Sequence, residues 1–276
     1  MTENVCHPTA RIVLGATLRK QLSETSGRWW SSAIHVLTAI FGLLSPLFLS
    51  RLVDSAPSNK LGAYAGRYAP FLILGLMALH FQNSLVSSLG NRIRQAQTEG
   101  TLELSLSSPT PLRLLVLSLF APDFFSGIAR LLLYFSLGVL LFHLHLSAVN
   151  APALFAVLAL GTLTFFSLSL GGAALTMLLR RTDPLSFFLT VSSLVSGGVL
   201  YPRSVLPPSL ALLGRLIPIA PLAEGVRASV IDGKNVIELA SPLLQLLVTC
   251  AVMMPLGLLA FGYALRRARM DGSLST

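Results

Sequence analysis

The sequence predicts an all-α membrane protein of six transmembrane helices, and three observations predict it. Of 276 residues, 53% are hydrophobic and only 11% are charged, whereas a soluble domain carries about 25% charged residues. The apolar residues gather into uncharged runs near the ~20 residues that cross a bilayer. Those runs fall at about 30–50, 69–90, 124–145, 152–179, 184–201 and 242–265. The 20 Lys and Arg residues lie almost entirely between the runs, as in chains whose loops sit in water and whose spans sit in lipid. The whole chain, 1–276, reads as one membrane domain.

Ahead of the first run, residues 10–29 mix Ile12, Leu14, Leu18 and Leu22 with Arg11, Arg19 and Lys20, and two tryptophans, Trp29 and Trp30, follow at its end. This pattern fits a helix lying in the interface with its tryptophans at headgroup level; a loosely helical tail is the alternative. The first run is long enough to span and is read as a retained helix, not a cleaved leader.

Orientation follows from the basic residues. With the N-terminus inside, the inner segments hold Arg11, Arg19, Lys20, Arg28, Arg92, Arg94, Arg113, Arg180, Arg181, Arg266, Arg267 and Arg269. The outer loops then hold Arg51, Lys60, Arg67, Arg203, Arg215, Arg227 and Lys234, with Arg130 inside span three. The inner excess predicts both termini in the cytoplasm. It also explains the net charge of +9 without nucleic acid, because the charges flank apolar spans and form no stripe.

The inner connection after span two contains Gln95, Glu99 and Glu103 at helical i, i+4 spacing. Leu102, Leu104 and Leu106 alternate as in a strand, but a lone strand has no partner, so a short helix over 95–108 is expected, stopped by Pro109 and Pro111. Such a helix either docks another protein or is a solvated connector.

After span five the chain reads "SGGVLYPRSVLPP", residues 196–208. Gly197 and Gly198 allow a bend, Pro202 stops a helix, and Pro207 with Pro208 starts the next one. The apolar piece that follows is too short to cross, so 202–227 is expected to re-enter the membrane from outside, where protein or a wet cavity must satisfy its backbone. Pro221 lies within this piece, and Glu224 with Arg227 at i, i+3 is expected to form a partly wet pair pinning it.

Other readings concern packing. His80, Gln82 and Asn83 on span two are expected to hydrogen-bond between helices. Ser167 with Gly171 and Ser193 with Gly197 give small faces for close helix approach, either within one subunit or at a dimer seam on span five. Arg130 is expected to pair with Asp123 or to snorkel inward.

Several chemistries are disfavoured. Cys6 and Cys250 form no CxxC or metal spacing. No phosphate-binding GxxxxGK[ST] occurs. An ion-coupled carrier of six spans is the main alternative, but carboxylates within the runs are scarce, with Asp123 and Glu224 near their edges. An intramembrane serine protease is less consistent still: Leu194 stands where a glycine belongs before Ser196, and His7, His35, His80, His143 and His145 all precede that serine.

Two stretches carry a resemblance. "TEGTLELSLSSPTPLRLLVLS" and "SGGVLYPRSVLPPSLALLGRLIPIAPLAEGVRASVIDG", with "ALRRARMDGSL" at the end, are similar to hallmarks of the permeases of type-2 ABC exporters, six-helix subunits that pair with separate ATPases. The family's usual asparagine before Pro221 is Ala220 here. The resemblance spans about residues 10–270. It implies a coupling helix seated in an ATPase groove through Glu99, Gly100, Thr101, Leu102, Glu103 and Pro109. It implies an outer gate formed by Gly197, Gly198, Tyr201, Pro202, Pro207, Pro208, Pro221, Glu224 and Arg227. It further implies two ATPase copies holding ATP and Mg, no cofactor on this chain, and a second permease subunit as homodimer or heterodimer. The setting would be a bacterial or archaeal inner membrane and the cargo a drug, lipid or glycan-type amphiphile.

Overall fold

α1 (Tyr68–Val86) and α2 (Ser88–Thr98) follow one another with almost no interruption. In this computed structural model, residues 68–100, 112–142, 149–179, 183–202 and 206–270 are described. The interfacial segment 10–29 and the first predicted span, 30–50, lie outside them. At Ser87 the helical path persists, since its amide donates to Asn83 O at 3.2 Å and its carbonyl accepts from Asn91 N at 3.0 Å. The second span therefore runs on as Tyr68–Thr98, beyond the predicted limit at 90. α1 is central, with Leu72, Ile73, Leu74 and Leu85 fully buried.

α3 (Leu112–Phe142) begins well before the predicted 124. The uncharged run starts after Asp123, but the helix carries that residue because Arg92 of α2 bonds both carboxylate oxygens, Nε to Oδ2 at 3.0 Å and Nη2 to Oδ1 at 3.1 Å. Pro122 also sits inside α3, as membrane helices tolerate where neighbours re-satisfy the freed carbonyl. Arg130 does not pair with Asp123; its Nη1 donates to Ser84 Oγ at 3.3 Å.

α4 (Ala151–Leu179) and α8 (Ala240–Met270) are the remaining long apolar helices and pack along each other. Among the described residues, four helices are long and apolar enough to cross a membrane, and none of the segments is a strand. The chain is an all-α membrane protein. Lipid tails give helices no hydrophobic reason to associate, so close approach and hydrogen bonds must hold them. Both appear here. The Ser167 carbonyl lies so near α8 that a Cβ at Gly257 would sit 2.6 Å from it, and Thr164 Oγ1 donates to Leu246 O at 3.2 Å.

α5 (Pro184–Ser196) corrects the fifth span. It has 13 residues, about 20 Å of helix against the ~30 Å of a hydrocarbon core, and it ends short of 201. α6 (Pro208–Leu216) and α7 (Ile219–Val230) are two short helices that follow one another across Ile217 and Pro218. α7 is buried along most of its length against α1, α4 and α8. The small face of α5 turns inward, since Ser193 is fully buried and exchanges hydrogen bonds with Gln82. It serves packing within this chain.

Candidate functional site

The helical ladder of α5 stops at a defined point. Gly197 still donates to Ser193 O at 3.0 Å and keeps right-handed dihedrals; Gly198 then takes φ +70°, which a side chain would strain. Only Gly198 uses the backbone freedom expected of both glycines. Gly197 is needed for space, because a Cβ there would collide with Ile219 Cγ2 and the Ser193 carbonyl.

From Gly198 to Pro202 the chain is not helical, yet Gly198, Val199 and Pro202 are buried. Carbonyls left bare in such surroundings cost ~2–7 kcal/mol each, depending on the reference state. Arg227, near the end of α7, meets this demand. Its Nη1 donates to Gly198 O at 2.9 Å and its Nη2 to Val199 O at 3.0 Å. Its Nε donates to Phe71 O at 3.1 Å, and the guanidinium lies 3.5 Å from the centroid of the Phe71 ring. Arg227 is only 7% exposed. A planar fork of fixed donors suits adjacent carbonyls in a way a lysine ammonium does not. Gly75 on α1 makes the room, since a Cβ there would strike Nη2 and come within 2.5 Å of the Val199 oxygen. Tyr68 donates its hydroxyl to Leu200 O at 2.7 Å, and the Tyr201 hydroxyl donates to Val195 O, a carbonyl freed by the end of α5.

The other predicted gate residues lie at the start of α6 and along α7. Pro207 is the N-cap of α6 and Pro208 its first residue, where a missing amide costs nothing. Pro221 is buried in the first turn of α7. Glu224 is exposed while Arg227 is buried, so the expected partly wet position for Arg227 is corrected: it points into the protein, at the broken strand of backbone after α5.

At the far end of α2, Glu99 is the C-cap, its amide donating to Gln95 O at 2.9 Å and its Oε1 accepting from Gln95 Nε2 at 2.8 Å. Gly100 has φ +66° with open space where a Cβ would go. A continuous helix over 95–108 is therefore not what forms: α2 stops at Thr98, and a left-handed Gly100 ends it. The one-turn relation of Glu99 to Glu103 presumed a helix through Gly100. Thr101, Leu102, Glu103 and Pro109 lie outside the described residues.

Sequence reasoning missed Tyr68, Phe71 and Gly75. Their spacing of i, i+3, i+7 places a hydroxyl, a ring and a gap on one face of α1, a readable stripe once a buried arginine is sought. It also missed Asp183, which caps α5 with Oδ1 accepting from Leu185 N at 3.0 Å. Among the described residues no three His, Cys, Asp or Glu side chains converge as a metal site.

Among curated proteins, none matches this chain. The ABC-2 type transporter family matches residues 12–231, which include the segment after α2, the break after α5 and the clamp on α7. The chain is a member of the ABC-2 type transporter family, the membrane permease component of an ABC transporter.

Proposed function

We propose that this permease forms half of an export conduit, is driven by a separate ATPase docked near residues 99–108, and is closed on its outer side by the break that Arg227 holds. The match across residues 12–231 carries this reading. A local feature supports the docking part. Glu99 places a carboxylate at the negative end of the α2 dipole, unfavourable by ~0.3–1 kcal/mol, and a cation on a partner would relieve it. In this reading the ATPase, in two copies, binds ATP and Mg, and a second permease subunit, identical or related, completes the conduit. The cargo is a drug, lipid or glycan-type amphiphile. The setting is a bacterial or archaeal inner membrane with both termini cytoplasmic; the burial of Arg227 supports that orientation, because it removes one basic residue from the outer loops.

The test is copurification of a co-expressed ABC ATPase from the same organism with the wild type and with Glu99→Lys/Glu103→Lys. The expected result is stable association that the double charge reversal reduces at least ten-fold. Equal recovery of the ATPase with both forms would refute docking at this segment.

A further inference from the structure

Between Phe71 and Gly90 the chain is closed in by protein on almost every side. The residues left partly open there are Leu76, His80, Asn83, Ser84 and Ser87, which follow one another at the three- and four-residue spacing of a single helix face. Four of these five are polar. The open faces of other helices are the reverse: Phe187 and Phe188 on α5, and Leu247 and Leu259 on α8, are exposed and apolar, as suits surfaces bathed in lipid tails. A polar stripe at membrane depth belongs instead to a wet or ligand-filled space.

A cation stands beside that stripe. The His80 ring stacks on Tyr134 of α3 at 4.7 Å between centroids, and one turn along both helices Ser84 Oγ accepts from Arg130 Nη1 at 3.3 Å. On the other flank Thr190 Oγ1 of α5 donates to Asn83 Oδ1 at 2.9 Å. Arg130 lies three residues from the middle of the apolar span Leu114–Leu140, about 4.5 Å along the axis. The near edge of a ~30 Å core is then about 10 Å away, and the side chain reaches sideways to Ser84 instead. No acid neutralises it. Among the described residues Asp123 is the one carboxylate in the four long apolar helices; it sits seven residues back along α3, and Arg92 holds both its oxygens. A single hydroxyl leaves most of the guanidinium donors of Arg130 for something else, and an ionisable group kept at such depth marks a binding site or pathway.

We propose that the stripe on α1 binds the anionic head of the cargo and that Arg130 recognises it, so that this permease selects amphiphiles carrying a phosphate or carboxylate. A guanidinium takes either group through paired N–H donors. His80, Asn83 and Ser87 add polar partners along the same face, which lets a charged head occupy membrane depth without water on every side. The proposal rests on the export-permease reading above and adds to it the charge of what is exported.

The experiment uses the full chain with its co-expressed ATPase in phosphatidylcholine nanodiscs. The probe is dodecyl phosphate bearing a diazirine beside the phosphate, and labelled peptides are read by mass spectrometry after illumination. Peptides holding residues 80–87 and 130–134 are expected to be labelled. Sub-micellar dodecyl phosphate or dodecanoate should reduce that labelling at least ten-fold, and dodecyltrimethylammonium or dodecyl maltoside less than two-fold. Arg130→Gln, which keeps a donor for Ser84, should lose labelling at least ten-fold, while Arg130→Lys, which keeps the charge, retains most of it. Phosphatidylglycerol in the nanodiscs identifies the source of the anion: competition assigns the site to a lipid headgroup, and no competition to a soluble amphiphile. Equal labelling in Arg130→Gln and wild type overturns the proposal. So does equal competition by the anionic and cationic amphiphiles, a result read on the wild type even where the variant fails to fold, and so does labelling confined to the apolar faces of α5 and α8. ATP turnover in the same nanodiscs is read separately. Turnover that ignores the probe while labelling at Arg130 persists removes the export reading and leaves the anion site standing.

Discussion

Replacing Arg227 by leucine removes every donor the guanidinium offers to Phe71, Gly198 and Val199. The Gly198 and Val199 carbonyls lie outside any helix, and leaving a buried acceptor unsatisfied costs about 1–3 kcal/mol. Loss of the contact with the Phe71 ring adds ~1–2 kcal/mol. Removing a desolvated cation returns part of this, so a net loss on the order of 3–5 kcal/mol is expected, a large share of the ~5–15 kcal/mol that holds a typical fold. Arg227→Lys keeps the charge but not the fork, and should cost about half as much, ~1–3 kcal/mol. Gly75→Ala drives a methyl against the same guanidinium and should cost ~1–3 kcal/mol by overpacking. Combined with Arg227→Leu its penalty should shrink, because one of the two groups it strikes is gone. The assay is thermal unfolding in detergent micelles, read by reaction of Cys250 with a fluorogenic maleimide in a Cys6→Ser background. A midpoint for Arg227→Leu indistinguishable from wild type would show that the carbonyls of the break do not depend on the guanidinium, and the reasoning would fail.

Further outcomes follow from the same geometry. Tyr68→Phe leaves the Leu200 carbonyl without its 2.7 Å donor and should lower stability by ~1 kcal/mol, measured by the same melt. Burial pushes the Asp183 carboxyl above its ordinary value of 3.8, against the backbone donors of Ser186 and Leu185 that favour the charge. A raised folded pKa means the folded state holds the proton more tightly. The contribution of Asp183 is thus fully present below the ordinary value and is lost as pH rises through the raised one. Asp183→Asn, which keeps a cap on α5, should flatten the dependence of the melting midpoint on pH across that window; an unchanged slope would count against a buried carboxylate.

How much of this was legible depended on whether the signal was local. Composition and run length placed α4 and α8 within a few residues of 152–179 and 242–265, since nothing in those runs interrupts the apolar pattern. The start of α3 was misread because a carboxylate in sequence looks like an edge. Asp123 is tolerated only through Arg92, a residue on another helix. The end of α5 was blurred for the opposite reason: Val199 and Leu200 are as apolar as any helical residue, and it is Gly198 in a left-handed conformation that ends the helix before them. Pro207 and Pro208 announced α6 because a proline at a helix start acts through its own ring. Arg227 was picked out, but its partners were not: the nearest one in sequence is 28 residues away and Phe71 is 156 away. The helix expected across Gly100 failed on one dihedral, which no side-chain spacing reports.

In the proposed reading this chain is the permease of an ATP-driven pair and supplies no hydrolysis of its own. ATP turnover in proteoliposomes tests it most directly, comparing the purified chain, the ATPase alone and the two reconstituted together. The chain alone is expected to show no turnover, and the pair turnover that differs from the ATPase alone and reverts toward it with Glu99→Lys/Glu103→Lys. Turnover that persists in the chain freed of every ATPase, or an ATPase whose rate ignores the chain's presence, would contradict it.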